Sequence, residues 1–98
     1  ALMIDQRVSE GEITNFFENP CLTTTLPAQL ALKYKLKIVP LLIKREKNNC
    51  FEISCEAPID SKNFKDKIHL TNFLNTKLEI MIKKNPEQWI WTHNRWKL

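Results

Sequence analysis

One glycine in 98 residues, Gly11, leaves this chain short of the residue that most readily takes up left-handed backbone. Tight two-residue hairpin turns need positive φ at one or both central positions, so the scarcity argues against a hairpin-rich all-β design. The length suits one small domain and not two. Apolar residues at 43% and charged residues at 27% are the balance of a chain that buries a core, not of one that stays disordered. Helices and a few strands are therefore the expected currency.

Ala1-Leu2-Met3-Ile4 is an apolar run that reads as a strand, like one cut from a longer chain. Asp5-Gln6-Arg7 and a polar stretch holding Gly11 follow it, and α/β proteins place ligand contacts at the carboxyl ends of strands. Ile13 to Phe17 fits either element, and Asn19-Pro20 reads as a turn. Thr23-Thr24-Thr25 precedes the helix formers Pro27 to Tyr34, a threonine cap with proline in the first turn. Lys37 to Arg45 is nearly continuous in apolar residues, as in a strand covered on both faces, with Pro40 predicting an edge or a bulge. Lys47-Asn48-Asn49 is a turn. Phe51, Ile53 and Cys55 then alternate with Glu52, Ser54 and Glu56, so the two strands should form an antiparallel hairpin.

From Ile68 to Lys84 the period becomes helical. Leu70, Leu74, Leu78 and Met81 form a stripe widened by Phe73 and Ile82, with Lys77, Glu79, Lys83 and Lys84 opposite. Asn85-Pro86 ends it, because the residue before proline avoids the helical region. The order strand, helix, strand, strand, helix, tail is one α/β unit. Its core is thin, since the run at 38–43 asks for cover on both sides and only two helices are available.

Lys and Arg number 15 against 11 Asp and Glu, a net +4 that suits phosphate, an acidic protein or a membrane surface. Cys21, Cys50 and Cys55 are odd in number and form no CxxC pair, which fits a reducing compartment. They read as small buried hydrophobes. A zinc site needs more ligands at closer spacing than His69 and His93 provide, and no cofactor is expected. No apolar run approaches the roughly 20 residues of a membrane-spanning helix.

Asp5, Gln6 and Arg7 bring a carboxylate, an amide and a guanidinium together, suited to orienting a catalytic group or binding phosphate; a solvated strand-to-loop junction is the plainer alternative. The threonine hydroxyls suit an anionic ligand at a helix start, or simple capping. His93 with Arg95 suggests a base and an anion clamp, but no nucleophile or carboxylate accompanies the histidine. No Ser/His/Asp, GxSxG, P-loop or dinucleotide fingerprint is present. Trp89, Trp91 and Trp96 interleave with His93, Arg95 and Lys97 at the end of the chain. Core packing, a lipid-interface anchor and a nucleic-acid stacking platform all fit that pattern. The mild net charge puts nucleic acid last, and no nucleic-acid partner is expected.

Taken in order, these segments resemble the bacterial lipid A biosynthesis (lauroyl/myristoyl) acyltransferases. IDQRVSEG, Ile4 to Gly11, is similar to the family's "DQ…G" segment; Phe16-Phe17 with Asn19-Pro20 resembles its "FFG-x-P/A" element, and Thr23-Thr24-Thr25 its Thr-rich helix start. AQLALKYKLKIVP, Ala28 to Pro40, resembles "A-x-LA…VVP", and NPEQWIWTHNRWK, Asn85 to Lys97, resembles the terminal "PEQW-x-W-x-HRRWK". Two residues depart from the pattern. Glu18 stands where the family usually has glycine, losing a flexible joint, and Asn94 replaces the first arginine of the terminal pair.

The resemblance implies the C-terminal part of a glycerolipid-acyltransferase-like mixed sheet flanked by helices. It implies transfer of a fatty acyl group from acyl carrier protein or coenzyme A to a hydroxyl of a lipid A precursor, at the cytoplasmic face of the bacterial inner membrane. The family's histidine sits in an HxxxxD/E motif, whereas His69 is followed five residues on by Leu74 and His93 by Leu98. The motif and the N-terminal anchor are therefore expected outside these residues, and the 98 residues alone are expected to be inactive. Asp5, Gln6 and Arg7 are then the expected strand-end substrate face, with Thr23 and Thr24 lining the same cleft. Arg95 and Lys97 would meet a lipid phosphate or an acidic carrier protein, with Trp89 packed and Trp96 the indole nearer the membrane surface. A non-catalytic membrane-binding or interaction module on the same scaffold is the alternative.

Overall fold

The computed structural model describes all of residues 1–98. Left-handed backbone occurs at five residues, none of them glycine: Phe17 (φ 49°), Glu18 (62°), Lys35 (55°), Asn48 (61°) and Asn49 (57°). Phe17-Glu18 and Asn48-Asn49 make the hairpin turns that the glycine count argued against, and Lys35 ends a helix. Strand β1 (Glu12–Phe16) pairs antiparallel with β2 (Asn19–Thr23), and Phe16 faces Asn19 across the two-residue turn Phe17-Glu18. Positive φ at both central positions is the geometry whose twist suits a hairpin. Asn19 and Pro20, expected to form the turn, instead open β2. The Asn19 amide steadies the turn by donating to the Phe17 carbonyl at 2.7 Å.

Helix α1 (Leu26–Tyr34) follows with Pro27 in its first turn. Thr25 holds the N-cap position, but its hydroxyl does not cap; it accepts from Gln29 Nε2 at 2.6 Å, while Thr24 Oγ1 accepts the Leu26 N–H at 3.3 Å. The expected strand over 37–45 is split at Pro40 into β3 (Lys37–Ile38) and β4 (Leu41–Arg45). Strand β4 pairs antiparallel with β5 (Phe51–Cys55), as the alternating pattern predicted, and β3 pairs with β6 (Ile59–Asp60). The Asp66 carboxylate caps α2 (Lys67–Lys84) by accepting the His69 N–H at 2.9 Å, and Asn85-Pro86 ends it. The result is a mixed α/β domain of two helices and three antiparallel strand pairs. No strand forms at residues 1–4; Ala1 to Met3 are exposed and Ile4 packs on the core from an irregular segment.

Two small cores result. Ala28, Ala31, Ile59, Leu70 and Leu74 lie between α1, α2 and β6. Phe16, Cys21 and Ile82 join the β1–β2 hairpin to the end of α2, with Leu78, Trp89 and Trp96 packed around them. Both helices are thereby occupied, and the expected cover on two faces of β4 is not there. Leu41, Ile43, Phe51 and Ile53 share one face of the β4–β5 hairpin and are 53–63% exposed. Of the three cysteines only Cys21 is buried. Cys50 lies in the turn before β5 and Cys55 on that same outward face, so neither serves as a core hydrophobe.

The Glu46 N–H bonds to the Cys50 carbonyl and the Glu56 N–H to that of Pro40. Ladder parity then turns the Arg45 N–H and C=O away from β5. Gln88, in a short 3-10 turn (Pro86–Gln88), fills that edge: its Oε1 accepts the Arg45 N–H at 2.8 Å and its Nε2 donates to the Arg45 carbonyl at 3.1 Å. One side-chain amide thus closes the segment after α2 onto β4. No helix is long and apolar enough to cross a membrane.

Glu18 is held in the left-handed region, so replacing it by glycine removes a steric cost. Glu18→Gly is expected to raise stability by about 1 kcal/mol in urea unfolding. A destabilised variant would show that the turn does not sit at Phe17-Glu18.

Candidate functional site

Beyond the 3-10 turn the chain folds back across the β1–β2 hairpin. Arg95 is the residue that fastens it. The side chain is fully buried. Its Nη1 donates to the Leu22 carbonyl at 2.5 Å and its Nη2 to Thr23 Oγ1 at 2.8 Å. The guanidinium also lies 5.3 Å from the centre of the Phe16 ring. Only a planar fork spans a strand carbonyl and a neighbouring hydroxyl while stacking on an aromatic face. No carboxylate neutralises this charge, and Arg95 Nε is buried without a partner.

The hydroxyl that receives Arg95 belongs to a buried polar knot. Thr14 and Thr23, diagonal neighbours across the hairpin, have their Oγ1 atoms 2.7 Å apart, and Asn75 Nδ2 donates to Thr14 Oγ1 at 2.9 Å and to the Asn15 carbonyl at 3.2 Å. Helix α2, both strands of the hairpin and the tail are joined through these four side chains. Thr71 and Asn75 had not been singled out by the sequence reading. Their signal was available, because they stand one residue after Leu70 and Leu74 and turn to the same buried side of α2.

The N-terminal segment meets the tail from the other side. Gly11 lies against β2 so closely that a Cβ there would stand 2.4 Å from the Thr23 carbonyl oxygen. The one glycine of the chain serves a close approach and not a left-handed turn. Earlier in the same segment, Arg7 donates its backbone N–H to His93 Nε2 at 2.7 Å, and its Nε donates to the Lys97 carbonyl at 2.9 Å. Residues from opposite ends of the chain are thereby brought together.

Of the residues expected to hold substrate, Arg7, Thr23, Arg95 and Lys97 meet in this one region. Arg7 is half-buried and Lys97 exposed, whereas Arg95 and Thr23 are interior. Asp5 is half-buried, Gln6 is exposed, and neither bonds to the others. Thr24 faces the start of α1 through its bond to Leu26. None of Arg7, Arg95 and Lys97 forms a salt bridge, and Asp5 pairs with none of them. No group of His, Cys, Asp and Glu is arranged to hold a metal ion. A groove of about 680 Å³ lies elsewhere, between β4–β5 and Gln88.

The tryptophans divide differently from expectation in one respect. Trp89 packs edge-on against Phe16 at 5.9 Å, as expected. Trp96 is packed as well: it stacks on Phe16 at 5.5 Å and its Nε1 donates to the Phe16 carbonyl at 2.9 Å. The indole most open to solvent is that of Trp91, 51% exposed beside the exposed Ile90.

The family model for the bacterial lipid A biosynthesis acyltransferases matches the chain over residues 1–98, and the protein belongs to that family. No curated protein matches the sequence. The matched span includes the buried knot, the Gly11 contact and the tail.

A lysine at position 95 keeps the charge and loses the fork. Arg95→Lys is expected to lower stability by about 3 kcal/mol in urea unfolding followed by tryptophan fluorescence, through a buried ammonium that cannot reach both oxygens. Unchanged stability would place the guanidinium outside the interior.

Proposed function

We propose that the chain takes part in moving a fatty acyl group from acyl carrier protein or coenzyme A to a hydroxyl of a lipid A precursor, at the cytoplasmic face of the inner membrane. The family shows an acyltransferase of lipid A biosynthesis. The donor, the acceptor and the role of this segment are proposed beyond the family. Its supporting observation is the convergence of Arg7, Arg95 and Lys97 without any salt bridge. Uncompensated positive charge at the meeting of two chain ends favours an anionic ligand. In this reading Arg7 and Lys97 face the phosphate of the acceptor, with Asp5, Gln6 and Thr24 along the approach. Arg95 and Thr23 hold that face in place from within, and their charge and dipoles act on it from beneath.

The general base in this reading is a histidine outside these 98 residues. Both histidines here already have other bonds: His69 Nδ1 accepts the Lys65 N–H at 3.3 Å, and His93 Nε2 accepts that of Arg7. Neither has Asp or Glu five residues on. The outside base would take the proton of the acceptor hydroxyl as its oxygen attacks the thioester carbonyl. A thiol then leaves, and the ester bond forms.

A second reading, a membrane-binding module without catalysis, is favoured by the exposed apolar face of Leu41, Ile43, Phe51 and Ile53. Acyl-transfer assays separate the two. A catalytically complete polypeptide containing these residues is expected to acylate the precursor. Lys97→Glu is expected to raise KM for the phosphorylated acceptor by about tenfold with kcat little changed, the mark of lost ground-state binding. The 98 residues alone are expected to be inactive. No transfer by the complete polypeptide would favour the module, and transfer by the 98 residues alone would overturn the outside base.

A further inference from the structure

We infer that Arg7 is a preset clamp for a phosphate monoester and that His93 is the positioning residue that sets it. This rests on the anionic-ligand reading above and assigns its geometry.

A guanidinium carries five N–H donors in one plane. In Arg7 the Nε–H is taken by the Lys97 carbonyl at 2.9 Å. The two Nη groups have no protein partner, neither a hydrogen bond nor a salt bridge. They are not sealed from solvent either, for the buried unpartnered atoms include Arg95 Nε and none of Arg7. The backbone of the same residue is fixed by His93, whose Nε2 accepts the Arg7 N–H at 2.7 Å. Residues 93 and 97 of the tail therefore hold Arg7 at both ends of its side chain, and the two Nη groups are left without a protein partner. Ordering a long side chain at the moment of binding costs affinity, and here folding has already done so.

The open fork matches two oxygens of a tetrahedral oxyanion. A phosphate monoester is favoured over a carboxylate because the region holds more than one unneutralised cation. Lys97, whose carbonyl holds Arg7, is exposed and forms no salt bridge, and buried Arg95 lacks a counter-ion. The bond also specifies the ring. Since Nε2 accepts, the neutral imidazole carries its proton on Nδ1. The tail motif thus has two tasks. Arg95 anchors it to β2, and His93 hands that rigidity to Arg7.

The test uses the 98-residue protein with two sources of the same group: glucose 1-phosphate, and phosphatidylcholine vesicles containing phosphatidic acid. Binding of the sugar phosphate assigns the clamp to a soluble ester, and binding of the vesicles alone assigns it to a lipid headgroup. In whichever arm binds, His93→Phe keeps a ring but no acceptor and is expected to weaken binding by about tenfold. His93→Gln places an amide oxygen near the lost Nε2 and is expected to restore affinity to within about twofold. Arg7→Lys, without a fork, is expected to weaken binding at least as much as His93→Phe.

Nitrogen-15 NMR of the imidazole in the unsubstituted protein should show the Nδ1–H tautomer, whether or not the variants fold. A wild-type protein that binds neither probe overturns the clamp and the anionic-ligand reading together. Wild-type binding that His93→Phe leaves unchanged, or an Nε2–H tautomer, overturns the role of His93 and leaves the anionic-ligand reading standing.

Discussion

The fold turns on one buried cation. Arg95 reaches from the last residues of the chain into the β1–β2 hairpin, where it finds a carbonyl, a hydroxyl and the face of Phe16. An unneutralised charge is costly in an interior, and it is tolerated only where its donors are bonded and its plane is packed. Two of the three nitrogens meet that condition, and Nε does not. The cost is offset by what the contact joins. Through Thr23 it reaches Thr14 and Asn75, and hence α2. Through the tail it sets His93 and Lys97, and hence Arg7.

Around that knot the molecule is unevenly covered. The β1–β2 hairpin is backed by α2 and closed by Trp89 and Trp96, while the β4–β5 hairpin shows a row of aliphatic and aromatic side chains to solvent. Two helices serve two cores and leave no third layer for β4. The edge of that strand is nonetheless managed at one point, where the Gln88 amide pairs with the outward groups of Arg45 as a neighbouring strand would. Gln88 and Arg95 fasten the same C-terminal segment to two different hairpins, a division of labour within one short motif.

Much of this was legible beforehand. The helical period from Ile68, its stop at Asn85-Pro86, the antiparallel hairpin of the strand ending at Arg45 with the strand Phe51 to Cys55, and an irregularity at Pro40 all follow from local rules that tertiary contacts did not override. The misreadings share a cause. An apolar run at 1–4 reads as a strand and another at 38–43 as a strand covered on both faces, but hydrophobicity does not supply the partner that pairs or buries them. Scarcity of glycine suggested few hairpins, yet Phe17, Glu18, Asn48 and Asn49 accept left-handed backbone where the packing of the strands repays it. Of the expected site residues, Arg7, Thr23, Arg95 and Lys97 converge. Asp5, Gln6 and Thr24 lie on the same segments without bonding to the others.

Sequence alone determined the helices, their ends, the mild positive charge and the family, since each depends on neighbouring residues or on motif order. Tertiary structure decided which cations are inside and which are open. In sequence Arg7 and Arg95 are the same residue and Lys97 is a third cation with nothing local to set them apart. Arg95 became an interior anchor because β2 offered it two oxygens and a ring, and Arg7 kept a free fork because the tail took only its Nε. That distinction depends on residues more than seventy positions apart meeting in space, and no local pattern contains it.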